Sequence, residues 1–87
     1  MTTVMAVHEV NDVAHWLASP KRAAFFRAHG MTVKTFVGSG GNNRVGLIIE
    51  NVTSLEALTK ALQGPDAADA MKCDGVHPDT LELFVAS

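Results

Sequence analysis

Four stretches of the chain alternate between apolar and polar residues with a period of two, and each predicts a β-strand. They are residues 2–10, 31–37, 44–51 and 81–85. Successive side chains of a strand point to opposite faces, so this alternation is typical of strands in a sheet with two distinct faces. Between the first and second stretches, and again between the third and fourth, apolar residues recur three or four positions apart, which predicts helices.

Each predicted helical segment contains residues that begin it and a proline that interrupts it. Asn11 and Asp12 can cap the first segment, and Thr53 is predicted to cap the second through a capping box of sequence Thr-Ser-Leu-Glu. Pro20 and Pro65 interrupt the two segments, because proline has no N–H to donate to the preceding turn. We therefore predict two kinked or broken helices, with each proline at the first position of a restarted helix.

An internal repeat relates the two halves of the chain. Residues 17–31 (LASPKRAAFFRAHGM) and 62–76 (LQGPDAADAMKCDGV) align at an offset of 45 residues, with Leu, Pro, Ala and Gly at matching positions. In both copies a helix restarts at the proline and ends at the glycine. Two copies predict an internal duplication within a single domain spanning residues 1–87, with halves of about 1–40 and 41–87.

Two further stretches predict turns. Residues 38–43 (GSGGNN) are rich in glycine, which could suggest a phosphate-binding loop. Such a loop needs a helix N-terminus after it, whereas here a strand follows, so we predict a β-hairpin. Residues 76–78 (VHP) predict a turn before the fourth strand.

The predicted order of elements is β-α-β-β-α-β, which is typical of the α+β class and of the ferredoxin-like, split βαβ fold. This fold has a four-stranded antiparallel sheet of order 4-1-3-2 with both helices on one face. No element of the chain covers the other face, where we expect Ile48, Phe36 and Phe84. Burying two aromatic side chains at about 25 cal/mol per Å² stabilises by several kcal/mol, which predicts a homodimer formed through this face.

Composition narrows the classes of protein that the chain can represent. A domain of 87 residues buries a modest fraction of its surface, and 47% hydrophobic residues with a mean hydropathy of +0.15 favour an interface with a partner. A net charge of −2 with 7 scattered Lys and Arg predicts no binding to nucleic acid or to anionic membranes. We predict a cytoplasmic protein from three features of the sequence. A single cysteine cannot form an internal disulfide, no apolar run is long enough to span a membrane, and the N-terminus lacks the basic region of a signal peptide.

Three segments of the chain resemble the dimeric α+β barrel superfamily, which includes the antibiotic-biosynthesis-monooxygenase-like proteins. They are residues 8–16 (HEVNDVAHW), 53–57 (TSLEA) and 65–75 (PDAADAMKCDG). The resemblance extends over nearly the whole chain, but its motifs are helix starts and stops, so it implies the fold and a dimer. Members include cofactor-free monooxygenases, haem-degrading enzymes, isomerases and proteins without known activity. Trp16 does not match the Asn, Trp and His pattern of the haem-degrading branch, and no catalytic residue is carried over.

His8 and Trp16 are the first candidates for contact with a ligand. We place His8 on the uncovered face of the first strand, near Lys34 and Glu82, where an imidazole could act as a base or anchor a ligand. A hydrogen-bonded interface histidine is the alternative. Trp16 could stack on a flat ligand, although a tryptophan at the start of an amphipathic helix is more often part of the core.

Cys73, Asp74, His77 and Asp79 lie within seven residues, but we predict neither a metal site nor a cofactor there. A structural zinc site needs four ligands, and no second Cys/His pair is present. A nucleophilic Cys–His pair needs a stabilised thiolate, which a helix end does not guarantee. We interpret Cys73 as a small apolar filler, and His15 and His29 as solvated. The predicted ligand-contacting residues are therefore His8, Trp16, Lys34, Phe36, Ile48, Glu82 and Phe84.

Three functions of different class remain open from the sequence. The first is a homodimer that binds a small apolar or aromatic molecule, either under the helices or inside the dimer barrel. The second is a cofactor-independent enzyme of the monooxygenase or isomerase type, and the third is a non-catalytic dimerisation or regulatory module. A closed pocket of about 300 Å³ or more would favour the first two functions, and a filled interior the third. Catalysis usually needs acidic and basic side chains close together, and the sequence has few such clusters. We therefore favour a binding function over a catalytic one.

Overall fold

Four strands and four short helices alternate along residues 2–86, the part of the chain that the computed structural model describes. The elements are β1 (Thr2–Val10), α1 (Val13–Ala18), α2 (Lys21–Ala28), β2 (Thr32–Val37), β3 (Arg44–Val52), α3 (Leu55–Leu62), α4 (Pro65–Asp74) and β4 (Val76–Val85). Each half of the chain therefore follows the order β-α-α-β. The duplication that this order suggests stays a prediction.

The four strands form one antiparallel sheet of order β2-β3-β1-β4. This is the predicted order 4-1-3-2 listed from its other edge, and the α+β, ferredoxin-like arrangement is confirmed. The predicted hairpin is also confirmed, because β2 and β3 pair directly across residues 38–43. Strand β1 lies in the centre of the sheet, hydrogen-bonded to β3 on one side and to β4 on the other.

The helix ends follow the local sequence closely. The Asp12 side chain accepts a hydrogen bond from the backbone N–H of His15 and caps α1 as predicted. Gly30 and Gly75 adopt φ of 75° and 73°, the left-handed conformation in which a residue without Cβ is not strained. The predicted cap of α3 is wrong by one residue. The backbone of Ser54 is extended, so its Oγ, rather than that of Thr53, accepts from Ala57 N–H at 3.1 Å.

Both prolines divide a helical segment into two helices. Pro65 is the first residue of α4, as predicted. In the first half α2 begins at Lys21, one residue later than expected, and Pro20 precedes it. Ser19 still satisfies a free backbone donor, because its Oγ accepts from Lys21 N–H at 3.3 Å. The break turns α1 and α2 into separate elements that contribute different side chains to the interior.

The prediction of a turn at residues 76–78 is wrong, because β4 already begins at Val76. Pro78 lies inside this strand although it cannot donate a ladder hydrogen bond. The sheet tolerates it because β4 is an edge strand that pairs only with β1, and because the register shifts between Val7 and Glu9 opposite this region. A proline in a strand is restricted to positions of this kind.

The two faces of the sheet differ completely in environment. Val4, Val10 and Ile49 lie under the helices with Trp16 and Leu58, and each is at most 1% exposed. The opposite face has no covering element among residues 2–86. Phe36 is 53% exposed there, Phe84 50% and Met5 43%, as expected for Phe36 and Phe84 in the isolated chain.

Candidate functional site

His8 lies on the helix-covered face of β1, so its predicted position on the uncovered face near Lys34 and Glu82 is wrong. The side chain is only 4% exposed. The reason is the period of two along the strand: Val4 and Val10 are buried under the helices, and every second residue between them must point the same way. A polar imidazole is thereby carried into the hydrophobic core.

Trp16 from α1 and Arg22 from α2 surround the imidazole. The rings of His8 and Trp16 meet edge to face, with their centroids 5.7 Å apart. The Arg22 guanidinium lies over the Trp16 ring at 4.1 Å from its centroid and donates a hydrogen bond to the Trp16 carbonyl at 2.9 Å. Trp16 is therefore a core residue, as the sequence favoured, and it also forms one wall of a polar cluster.

Asp74, the last residue of α4, supplies the negative charge of this cluster. Its Oδ2 lies 3.8 Å from Nη1 of Arg22, and both side chains are at least nine-tenths buried. Burial lowers the pKa of the Arg22 guanidinium, while the neighbouring Asp74 raises it and opposes that effect. The two residues are 52 positions apart in the sequence, and they join α2 to α4 by a charge pair in the interior.

Two polar atoms of the cluster have no hydrogen-bond partner among residues 2–86. They are Nδ1 of His8 and Oδ1 of Asp74, and both are buried. Both residues line a cavity of about 60 Å³ between the sheet and the helices, whose other walls are almost entirely apolar or aromatic. Buried polar atoms are nearly always paired in folded proteins, so these two mark the cavity as unusual. We call His8, Trp16, Arg22, Asp74 and the space they line the core cavity.

The imidazole of His8 is uncharged at neutral pH. The pKa of His8 is lowered from 6.5 to about 4, mainly by burial and secondly by the positive charge of Arg22. The negative charge of Asp74 raises this pKa and opposes the two effects only in part. A neutral imidazole has one nitrogen that donates and one that accepts a hydrogen bond. In the core cavity it can therefore act as a donor or as an acceptor, according to its tautomer.

We predict that His8 makes folding stability depend on pH in a defined window. The unfolded chain takes up a proton at His8 below about pH 6.5, whereas the folded chain does so only near pH 4, so stability should fall as the pH drops between these values. The slope should not exceed about 1.4 kcal/mol per pH unit for one group. Urea denaturation from pH 7.5 to 4.5 measures it. The difference in the free energy of unfolding between wild type and His8→Gln separates the effect of His8 from that of the other three histidines. If this difference does not change with pH, the prediction is wrong.

The other five predicted ligand-contacting residues, Lys34, Phe36, Ile48, Glu82 and Phe84, lie on the opposite face of the sheet. We call the apolar centre of this surface the open face; its residues are Met5, Val7, Phe36, Ile48 and Phe84. The sheet therefore separates the predicted residues into two groups that cannot share one site.

A groove of about 310 Å³ crosses the open face. It lies where Gly46, which has no side chain, pairs with Val7 on one side and with Phe36 on the other. Two exposed ion pairs flank the apolar centre, Lys34–Glu50 at 3.6 Å and Arg44–Glu82 at 3.5 Å. Of these two concavities, the surface groove is the larger and the core cavity the smaller.

The interpretation of Cys73 as an apolar filler is wrong, since its side chain is exposed at the end of α4. The Cys73 carbonyl is hydrogen-bonded to the ring Nε2 of His15 at 2.7 Å. The Nε2 of His77 is hydrogen-bonded to the Asn11 side chain. Within residues 2–86, no group of three or more His, Cys, Asp and Glu side chains could hold a metal ion.

Arg22 and Asp74 were missed as site residues in the sequence analysis, although one signal could have identified them. Arg22 lies in the first turn of α2 and Asp74 in the last turn of α4. Each charge is at the helix end where the helix dipole disfavours it, by about 0.3–1 kcal/mol. Two charges of opposite sign, both misplaced with respect to their own helices, indicate that a tertiary contact holds them.

Comparisons with protein-family models, with curated proteins and with solved structures found no match. Among the described residues, no helix is long and apolar enough to cross a membrane. The core cavity and the open face are therefore the features of the protein that indicate its function.

Proposed function

We propose that the protein is a homodimer whose subunits each bind a small, largely apolar or aromatic molecule in the core cavity. The observation that carries this proposal is a pair of buried, unpartnered atoms, Nδ1 of His8 and Oδ1 of Asp74, on two residues that line a cavity with otherwise apolar walls. Ligand sites typically combine such walls with a few convergent polar groups. As predicted from the sequence, we propose a cytoplasmic location.

The size of the core cavity limits the ligand. Its volume of about 60 Å³ matches roughly two water molecules, at about 30 Å³ each, and is well below the 300 Å³ or more of common ligand sites. Volume alone therefore favours the non-catalytic dimerisation or regulatory module, and the two unpartnered polar atoms are what favour binding. Phe25 and Met71 line the cavity and are only half-buried, so a ligand could displace them toward solvent, although Phe25 would then lose its edge-to-face contact with Phe26. Methionine adapts readily because its side chain is unbranched and flexible. A ligand of the size of a single aromatic ring fits if these two side chains turn outward.

The open face supports the homodimer. Monomeric proteins rarely leave a contiguous patch with two half-exposed phenylalanines and a methionine in water, and such patches usually mark interfaces. The flanking ion pairs place both signs of charge around the apolar centre, which suits a surface that meets its own copy about a two-fold axis. This arrangement would be a dimeric α+β barrel, the superfamily that the helix motifs resemble.

Binding is favoured over the alternative of a cofactor-independent oxygenase or isomerase. General-base catalysis is most effective when the pKa of the base lies near the working pH. The pKa of His8 is lowered to about 4, so its imidazole is a weak base at neutral pH. The same property suits a binding residue, because it keeps the ring uncharged in an apolar cavity.

Filling the core cavity should abolish ligand binding without unfolding the protein. Ala70 lines the cavity, and Ala68 is exposed on the same helix, so Ala70→Leu and Ala68→Leu form a matched pair. We expect toluene at millimolar concentration to shift the indole N–H resonance of Trp16, the only tryptophan, in wild type and in Ala68→Leu but not in Ala70→Leu. The measurement is a ¹H–¹⁵N correlation spectrum. A shift equally large in Ala70→Leu, or none in wild type, would refute the proposed site.

A further inference from the structure

We infer that the core cavity selects an uncharged ligand with an apolar body and one group that both donates and accepts hydrogen bonds, of which a hydroxyl is the simplest. The inference rests on the proposed function, because it assumes that the core cavity is the ligand site. It adds the chemical class of the ligand and the two atoms that recognise it.

Oδ1 of Asp74 sets the requirement for a donor. The Asp74 carboxylate pairs with the Arg22 guanidinium, and a carboxylate in an ion pair only accepts hydrogen bonds. Its Oδ2 faces the Arg22 guanidinium, which leaves Oδ1 buried and without a partner in the described chain. An apolar ligand in contact with Oδ1 would keep it unpaired, whereas a hydroxyl would pair it.

Nδ1 of His8 sets the second requirement. The nitrogen is buried and has no partner within residues 2–86, and it donates or accepts according to the tautomer of the ring. A hydroxyl has one donor and two acceptor sites, so it can donate to Asp74 and still accept from an Nδ1–H. A ligand group that only accepts would suit His8 but leave Asp74 unpaired.

The charges around the core cavity exclude a charged ligand. The one cation, Arg22, already interacts with the Asp74 carboxylate, the Trp16 carbonyl and the Trp16 ring. His8 is neutral, so the groups that face the cavity carry no net charge. An anionic ligand would be repelled by the free oxygen of Asp74, and a cationic ligand would be repelled by Arg22. Neither ligand would find an unpaired opposite charge, which is costly in a site of low dielectric.

The test compares phenol, toluene and benzoate on the wild-type protein. Phenol and toluene have the same number of heavy atoms, and phenol is uncharged at pH 7, so the pair differs by one hydroxyl in place of one methyl group. We expect phenol to bind at least about tenfold more tightly than toluene, because toluene leaves two buried polar atoms unpaired. Benzoate should bind more weakly than phenol. Dissociation constants come from titrations followed at the Trp16 indole resonance and at the His8 ring nitrogens.

The outcomes separate this inference from the proposed function. Equal affinities for phenol and toluene would overturn the inference and leave the ligand site in place. Tighter binding of benzoate than of phenol would overturn the claim that the ligand is uncharged. Absence of any shift with all three compounds, or shifts confined to the open face, would refute the proposed site and the inference together. In the supporting outcome, phenol moves the His8 nitrogen resonances further than toluene does.

Discussion

Replacing Phe84 by Asp is expected to convert the proposed dimer into a monomer. The side chain is half exposed on the open face, and a two-fold interface contains it twice, so one substitution changes two contacts. Loss of a central aromatic contact costs about 2 kcal/mol or more, and burying an unpaired carboxylate adds to this. Two such sites cost about 4 kcal/mol, or roughly a thousandfold in the dissociation constant. Sedimentation equilibrium at micromolar concentrations measures the change.

A matched control comes from the helix-covered side of the molecule. Leu55 is 40% exposed at the start of α3, where a carboxylate is well tolerated, so Leu55→Asp should leave the proposed dimer intact. Circular dichroism should show that both variants are folded. Wild-type protein that sediments only as a 9.2 kDa species at these concentrations would refute the dimer, and so would a Phe84→Asp protein that stays dimeric.

Arg22→Leu should produce the largest loss of stability among simple substitutions in the core cavity. The change leaves the Asp74 carboxylate buried without a cation, and breaking a buried pair in this way costs about 3–5 kcal/mol. For a domain of this size, each kcal/mol corresponds to about 4–8 °C in Tm, so a decrease of more than 10 °C is expected. Thermal unfolding followed by circular dichroism measures it.

A double variant tests whether the loss arises from the charge pair. Arg22→Leu combined with Asp74→Leu removes both charges, so it should be more stable than Arg22→Leu alone. Arg27→Leu is the surface control, because Arg27 is exposed on the same helix, and it should change stability by about 0.5 kcal/mol or less. A double variant no more stable than Arg22→Leu would mean that the two side chains are not energetically coupled.

Most of the fold could be predicted because its signals are local. The bounds of β1 and β3 follow the alternation of apolar residues to within one position. The break at Pro65 and the end of α4 at Gly75 depend on a missing N–H and a missing Cβ. The order of the sheet then follows, because two β-α-β units that share one sheet have few ways to pair.

The errors arose where the local signal allowed two outcomes. Thr53 and Ser54 are both competent caps, and only the backbone conformation at the start of α3 selects Ser54. Pro78 normally ends a strand, but it is acceptable at the edge of a sheet, and a strand is known to be an edge strand only after the sheet has formed. The environment of Cys73 depends on which side of α4 faces the core, and its weakly amphipathic sequence, PDAADAMKCD, leaves this undecided.

The sequence by itself determined that β1 has two faces, that His8 shares one of them with Val4, and that Phe36 and Phe84 lie on the face that the helices leave uncovered. Only the tertiary structure decided which face of β1 the helices cover, because this depends on the burial of all strands and helices together. It also brought Arg22 and Asp74 to His8. Their helices are separated in sequence by β2, β3 and α3, and each charge is placed against its own helix dipole, so only packing of α2 against α4 explains their positions.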